Sequence, residues 1–336
     1  MEAVTDSTEA MPDPGRVMVR SEFAPLRTVA VAQSQLRPPD EVSDSEVSFL
    51  GSEARPLLES MLGRDHADVF PDRQRKWESE RENLCSVFER YGVEVLRPRM
   101  LTDAEKAAGG SNGYANFFVR DPWFTIGDIV VEGSLRLPHR RLEVLPSREI
   151  LTTRALDGRC SYLALPQPAV PDGVPGDLGA GPFLEGGDVL VYGKHVFVGN
   201  SGLASNDLGI RWLEKVLTPL GYTVETVRLA PNFLHLDCAL GLIREGLLVA
   251  CPDALVDGLP AALRDWDRIE ISESDGIDLG TNGLPISPEV YVTDPVFRHI
   301  GDRIAEHGVT VEYVDFAVTR SFGGAFRCTT QPLRRE

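Results

Sequence analysis

The order hairpin, helix, strand recurs along the second half of this chain, and no other feature restricts the possible folds as tightly. Apolar residues over 183–198 flank the turn Tyr192-Gly193-Lys194-His195, as a β-hairpin requires. Ser205 or Asn206 can cap a helix in which Leu208, Trp212, Val216 and Leu220 recur every four residues, joined by Leu213 and Leu217. Gly221 ends that helix, and residues 223–229 read as a strand. A second copy runs through residues 234–243 and 247–251, which flank the turn Arg244-Glu245-Gly246. A short helix near 259–266 and a strand over 269–271 complete it, and residues 289–314 give a third unit of strand, helix and strand. A period of roughly 50 residues is in the range of repeated supersecondary units. Such units set in a ring would bring the ends of equivalent hairpins around one central site. Little residue identity joins the copies, so the repeat is one of structure.

The first half is less regular. Residues 27–33 read as a strand, residues 38–52 as a long polar loop, and residues 72–91 as a helix with Trp77, Leu84, Phe88 and Tyr91 on one face. Gly92 stops the helix and residues 93–96 extend. Residues 117–132 read as a hairpin or two short strands, interrupted by Asp121-Pro122 and Gly127-Asp128. A Pro- and Gly-rich loop over 166–182 resembles a linker, but the same kind of element resumes after it. We therefore expect an α/β chain with a single domain over residues 21–336, preceded by a disordered tail over residues 1–20 that has no apolar signal-peptide segment.

Charge and cysteine content exclude several classes. The formal net charge of −17 argues against a phosphate-backbone partner, so no nucleic acid is expected, and an acidic field favours a cationic small molecule. No apolar run approaches the roughly 20 residues that span a bilayer, so no membrane partner is expected either. The five cysteines, Cys85, Cys160, Cys238, Cys251 and Cys328, are widely spaced and include no Cys-x-x-Cys pair. Reduced thiols in a cytoplasmic protein fit that pattern best, with neither a cofactor nor a metal.

Three segments carry the chemistry: Glu185-Gly186-Gly187-Asp188, His235-Leu236-Asp237, and Phe322-Gly323-Gly324-Ala325-Phe326-Arg327-Cys328. Singly, each has a plain structural explanation: a glycine bulge, a satisfied buried histidine, a cysteine filling a core. Together they supply a thiol nucleophile, a proton carrier and an acid to orient it. Asp237 and Asp121, the latter within Arg120-Asp121-Pro122, are then surplus acids. They make sense if the substrate is a guanidinium, whose paired N–H donors a carboxylate grips bidentately. The same acids raise the pKa of an isolated thiol, so Cys328 must be activated by the bound cation or by His235.

In that order, the motifs Arg120-Asp121-Pro122, Glu185-Gly186-Gly187-Asp188, His235-x-Asp237 and Gly323-Gly324-x-x-Arg327-Cys328-x-Thr330 resemble the guanidino-group-modifying enzyme superfamily. Residues 205–212 and 321–328 resemble its arginine:glycine and inosamine-type amidinotransferases most, and the likeness runs from about residue 22 to the end of the chain. The resemblance implies a five-bladed α/β propeller (the pentein fold) of pseudo-repeated ββαβ units. It also implies a catalytic set of Cys328, His235 and Asp188, with Cys328 taking up the amidino group and His235 as general acid and base. Asp121, Asp237 and Glu185 become substrate-binding residues, and Glu185 or Asp188 orients His235. The transferases resemble Asp188 in the place of that acid, the hydrolases Glu185, and this chain has both.

The implied reaction moves an amidino group from arginine or a related donor to an amine, and the resemblance also implies a homodimer. The alternative is a hydrolase of the arginine deiminase or dimethylarginine dimethylaminohydrolase type, in which water intercepts the same thioether. A non-catalytic binding protein is the third reading, disfavoured by the intact Cys328, His235 and Asp188. Two departures stand out. Ala254-Leu255 occupies the place where the arginine:glycine enzyme carries its carboxylate-binding arginine, and Ala204-Ser205 replaces the superfamily's usual Arg-Thr. Either the donor is not arginine, or its carboxylate is held elsewhere.

Overall fold

The computed structural model describes residues 15–50, 54–168 and 178–336. Five three-stranded sheets share one plan, a hairpin whose second strand is joined in parallel by a third strand. Trp123–Ile126 and Ile129–Glu132 are joined by Ser161–Ala164, and Val189–Tyr192 and His195–Asn200 by Thr223–Arg228. Leu240–Arg244 and Leu247–Ala250 are joined by Asp267–Glu270, and Leu284–Ser287 and Val290–Thr293 by Thr310–Tyr313. The two ends of the chain make the fifth blade. Thr330–Arg335 runs antiparallel to Leu26–Val31, and Glu94–Leu96 adds in parallel. The architecture is the five-bladed α/β propeller of the pentein fold, and three of its blades are the copies legible in the sequence.

The local chemistry explains each helix. Asn206, not Ser205, caps Asp207–Leu217 by accepting the Gly209 amide at 3.1 Å. That helix buries Ile210, Leu213 and Leu217, while Leu208 and Leu220 are exposed, so the four-residue stripe is not its core face. A stripe of period four drifts about 40° per step on a helix of 3.6 residues per turn, which carries its ends out of the core. In the blade that starts with Leu240–Arg244, the link from Leu247–Ala250 to Asp267–Glu270 shrinks to the 3-10 turns Pro252–Ala254 and Ala261–Leu263.

The long helix Pro71–Arg90 buries Trp77, Leu84 and Phe88 as expected, but also Glu80 and Arg81. Glu80 accepts the amides of Val318 and Thr319 at 2.8 and 2.9 Å, and Arg81 donates to the Thr319 hydroxyl at 2.7 Å. These buried charges tie the helix to the segment that leads into Cys328.

Two expectations change. Val17, Met18 and Val19 are buried, with the Met18 and Val19 amides bonded to Leu333 and Gly127, so the folded chain begins before residue 21. The first fourteen residues of the expected tail lie outside the described residues, as do residues 169–177 of the Pro/Gly-rich loop and residues 51–53. The polar loop over 38–52 contains a one-turn helix, Asp44–Val47, closed by a Ser43/Glu46 capping box. Among the described residues no helix is long and apolar enough to cross a membrane.

Candidate active site

Each residue singled out for chemistry stands just ahead of the first strand of a blade. Asp121 precedes Trp123–Ile126, and Glu185 leads the turn Gly186–Asp188 into Val189–Tyr192. His235 opens the turn Leu236–Cys238 before Leu240–Arg244, and Cys328 lies in the one-turn helix Phe326–Thr329 before Thr330–Arg335. The remaining blade contributes Asn282, just ahead of Leu284–Ser287, and no motif pointed to it. Its Oδ1 accepts the amides of Ala325 at 3.2 Å and Cys328 at 3.3 Å, which fixes the turn carrying the thiol. The fivefold plan is its only signal: four equivalent positions carry functional side chains, so the fifth is the place to look.

His235 is almost fully buried, with Nε2 2.8 Å from Glu185 Oε2 and Nδ1 3.9 Å from Asp121 Oδ1. Glu185 thus stands against the imidazole, where the substrate-binding role had been expected of it. Asp188, expected to belong to the catalytic set, instead accepts the backbone amides of Ser205 at 3.1 Å and Leu236 at 3.0 Å. The backbone decides this: Leu236 follows His235 directly, so Asp188 clamps the turn rather than the ring. Gly187 is needed here, because a Cβ would come 2.6 Å from His235 Nδ1 and 2.7 Å from Asp121 Oδ1.

The electrostatics follow from burial and charge together. Burial alone would depress the His235 imidazole, but Asp121, the Glu185 hydrogen bond and Asp188 raise its pKa to about 10. Burial would raise Asp121, yet His235 and Arg140 hold it below the usual carboxylate value. Burial pushes Asp188 up to about 7 against the pull of His235.

The Cys328 thiol points at the other acid, with Sγ 3.8 Å from Asp237 Oδ2. Burial first, then Asp237 and Asp121, push this thiol well above its ordinary pKa and so favour its neutral form. Asp237 is itself paired with Arg327 Nη1 at 2.9 Å, and Glu22 grips the other edge of that guanidinium with two contacts at 3.2 Å. Arg327, part of the motif, is thereby a buried strut beneath the site.

Asp121, His235 and Cys328 line one cavity that opens to solvent. Its other walls are largely apolar, including Phe117, Phe118, Leu234 and Phe322, with Val47 and Leu50 brought over it by the loop after residue 38. Sequence reasoning missed Arg140, which lines the same cavity. It donates to Asp121 at 2.8 Å and Glu143 at 2.7 Å and lies 3.8 Å from Glu185. Asp121, Glu185 and His235 set donor atoms within 4.8 Å of one another, a spacing that suits a cation. Arg140 already supplies that cation, so the trio reads as an ion-pair network rather than a metal site.

No protein-family model matches the chain. It is 30% identical over 292 residues to a Streptomyces griseus protein that carries the name inosamine-phosphate amidinotransferase 2, covering 79% of this chain and 82% of that one. Inosamine-phosphate amidinotransferase 1 of the same organism is 26% identical, over 95% of this chain and 97% of its own. Among solved structures, an amidinotransferase of Microseira wollei from the saxitoxin biosynthetic pathway superposes with a TM-score of 0.80 at 20% identity, covering 95% and 97% of the two chains. A dimethylarginine dimethylaminohydrolase superposes less closely, with a TM-score of 0.61 at 18% identity, over 91% and 99%.

Proposed function

Since the chain belongs to the amidinotransferase family and is an enzyme that transfers an amidino group, we propose that Cys328 carries that group between a guanidino donor and an amine acceptor. The observation that supports this most is the shared cavity: a thiol, an imidazole backed by Glu185, and the Asp121 carboxylate all border it, with the buried Asp237 3.8 Å from the thiol.

The donor's guanidinium lies between Asp121 and Asp237, whose charges it offsets. Its positive charge beside Cys328 reverses the effect of those acids on the thiol and favours the thiolate, the thiol proton passing to solvent through the open cavity. The sulfur then adds to the guanidinium carbon. As the C–N bond to the donor breaks, protonated His235 gives its proton to the departing amine, leaving an amidino-thioether on Cys328. The acceptor amine enters, attacks the same carbon, and loses its proton to the now neutral His235 as the thiolate departs. Glu185 keeps the imidazole oriented and basic throughout, and Asp188 holds the turn on which it stands.

Hydrolysis is the second reading, and one observation favours it: Glu185, the acid that the resemblance associates with the hydrolases, is the one against His235. The amidinotransferase relatives support transfer. The five free cysteines fit a reducing cytoplasm, and a homodimer is part of the same reading.

Intact-protein mass spectrometry with arginine, with and without a panel of primary amines, tests this. An amidino adduct on Cys328, with ornithine and a guanidino product accumulating through turnover only when an amine is present, is the expected result. Citrulline without added amine would transfer the assignment to the hydrolases.

A further inference from the structure

Arg140 carries neither a proton nor the amidino group in the transfer, yet the acids around His235 converge on it. Its Nη2 donates to Asp121 Oδ2 at 2.8 Å and to Glu143 Oε2 at 2.7 Å. Its Nε donates to Glu143 Oε1 at 3.3 Å, and Nη1 lies 3.8 Å from Glu185 Oε2. The guanidinium also sits 5.8 Å from the Phe118 ring and 5.9 Å from the Phe117 ring. One short segment supplies both the cation and its anchor. The 3-10 turn Pro138–Arg140 leads into a second turn, closed by the Glu143 amide on the Arg140 carbonyl at 2.9 Å. Glu143 is buried and gives both carboxylate oxygens to Arg140. Burial would lower the Arg140 pKa, but Glu143, Asp121 and Glu185 raise it, so the guanidinium stays charged.

Asp121 is thereby fixed at both oxygens. Oδ2 receives Arg140, while Oδ1 receives the Gly187 amide at 3.0 Å and lies 3.9 Å from His235 Nδ1. Two engaged oxygens set the plane of the carboxylate, and each keeps a lone pair for a further donor. The charged and titratable groups around it are Arg140 and His235, with Glu143 behind the first, Glu185 and Asp188 behind the second, and Cys328 in the same cavity. Without the Arg140 cation, several acids would crowd one buried imidazole, and such a group relieves its repulsion by protonating a member.

From this geometry we infer that Arg140 is a positioning residue for the transfer: it holds the Asp121 carboxylate, oriented and charged, for the donor guanidinium, with Glu143 as its anchor. The inference rests on the reading of Asp121 as a partner of the donor and adds the group that prepares it. A planar fork of N–H donors can bond two carboxylates in fixed directions at once, which a lysine ammonium cannot reproduce.

The test follows Arg140→Gln, Arg140→Lys and Glu143→Gln through two measurements. One is kcat/KM for L-arginine against pH with an amine acceptor present, and the other is an NMR titration of the Asp121 carboxyl in unliganded protein. Activity is lost on the acid side as Asp121 takes a proton, so raising its pKa moves that limb to higher pH. Arg140→Gln should raise both the carboxyl titration and the acid limb by about one to three pH units. It should also lower kcat/KM at neutral pH by about ten- to a hundred-fold, through KM as well as kcat. Arg140→Lys keeps the charge without the fork, so it should hold the limb near its wild-type place and recover part of the rate. Glu143→Gln removes an acid and leaves the cation, so its limb should not rise. An unmoved Asp121 titration in folded Arg140→Gln overturns the inference, and so does an equal rise in Glu143→Gln, which would mark general loss of packing. Where Arg140→Gln does not fold, wild-type kcat/KM in Arg140→Lys overturns it instead. The titration needs no turnover: if arginine leaves Cys328 unmodified while Asp121 titrates as expected, the Cys328 reading falls and the charge-keeping role of Arg140 stands.

Discussion

Glu185 Oε2 lies 2.8 Å from His235 Nε2, whereas Asp188, three residues further on, accepts the backbone amides of Ser205 and Leu236 around that histidine. The two acids of one motif are thereby given separate tasks, which substitution separates. Glu185→Gln keeps a hydrogen bond but removes the charge that raises the imidazole pKa. It should lower kcat by roughly 100-fold and move the alkaline limb of the pH–rate profile downward. Asp188→Asn leaves one of two buried amides without its acceptor and should cost about 1–3 kcal/mol in denaturant unfolding. A larger loss of pH-dependent rate in Asp188→Asn than in Glu185→Gln would reverse the assignment.

Asp237 has opposing effects on the thiol and on the substrate. Its charge helps to hold the Cys328 thiol protonated, so alkylation of Cys328 by iodoacetamide should be slow at neutral pH and accelerate only in alkaline solution. Asp237→Asn should speed alkylation at neutral pH while raising KM for the donor about tenfold or more, because Glu22 still partners Arg327. Slower alkylation would contradict this account. Cys328→Ala should abolish turnover, and retained turnover would remove the nucleophile.

Asn282 orders the nucleophile's turn through one oxygen. Asn282→Ala leaves the buried Ala325 and Cys328 amides unpaired and should destabilise the protein by about 1–3 kcal/mol while lowering kcat. Asn282→Asp restores the acceptor but adds a charge beside the thiol. It should recover stability in thermal melts and yet react more slowly with iodoacetamide, a pairing of outcomes that a merely structural asparagine would not give.

The pH dependence of stability has a definite sign. The folded-state pKa of His235 is about 10 against an ordinary 6.5. Its contribution is therefore full below pH 6.5 and lost as pH rises through 10. Urea unfolding between pH 6 and 10 should show stability falling with pH, and His235→Gln should flatten that slope. An equally steep slope in the variant would mean that other groups govern it.

Much of this arrangement was legible in the chain. Glycine and asparagine at turn and cap positions mark where elements stop, and alternating apolar residues mark the hairpins, because those signals act over a few residues. The motif order likewise identified Cys328, His235, Asp121 and Asp237 as one group. The blade made from both chain ends could not be read, since Thr330–Arg335 pairs with Leu26–Val31 across nearly the whole sequence. Arg140 and Asn282 escaped notice because an arginine in a turn and an asparagine before a strand ordinarily face solvent.

By itself, the sequence determined which residue types were available and where local turns and caps interrupt the chain, because backbone propensity and side-chain alternation are local. Only the tertiary structure decided partnership: Glu185 rather than Asp188 on His235, and Arg140 between Asp121 and Glu185. Such partnerships depend on burial and on charges brought together from distant segments. Coulomb energy and desolvation respond to separation in space, which spacing along the chain does not report.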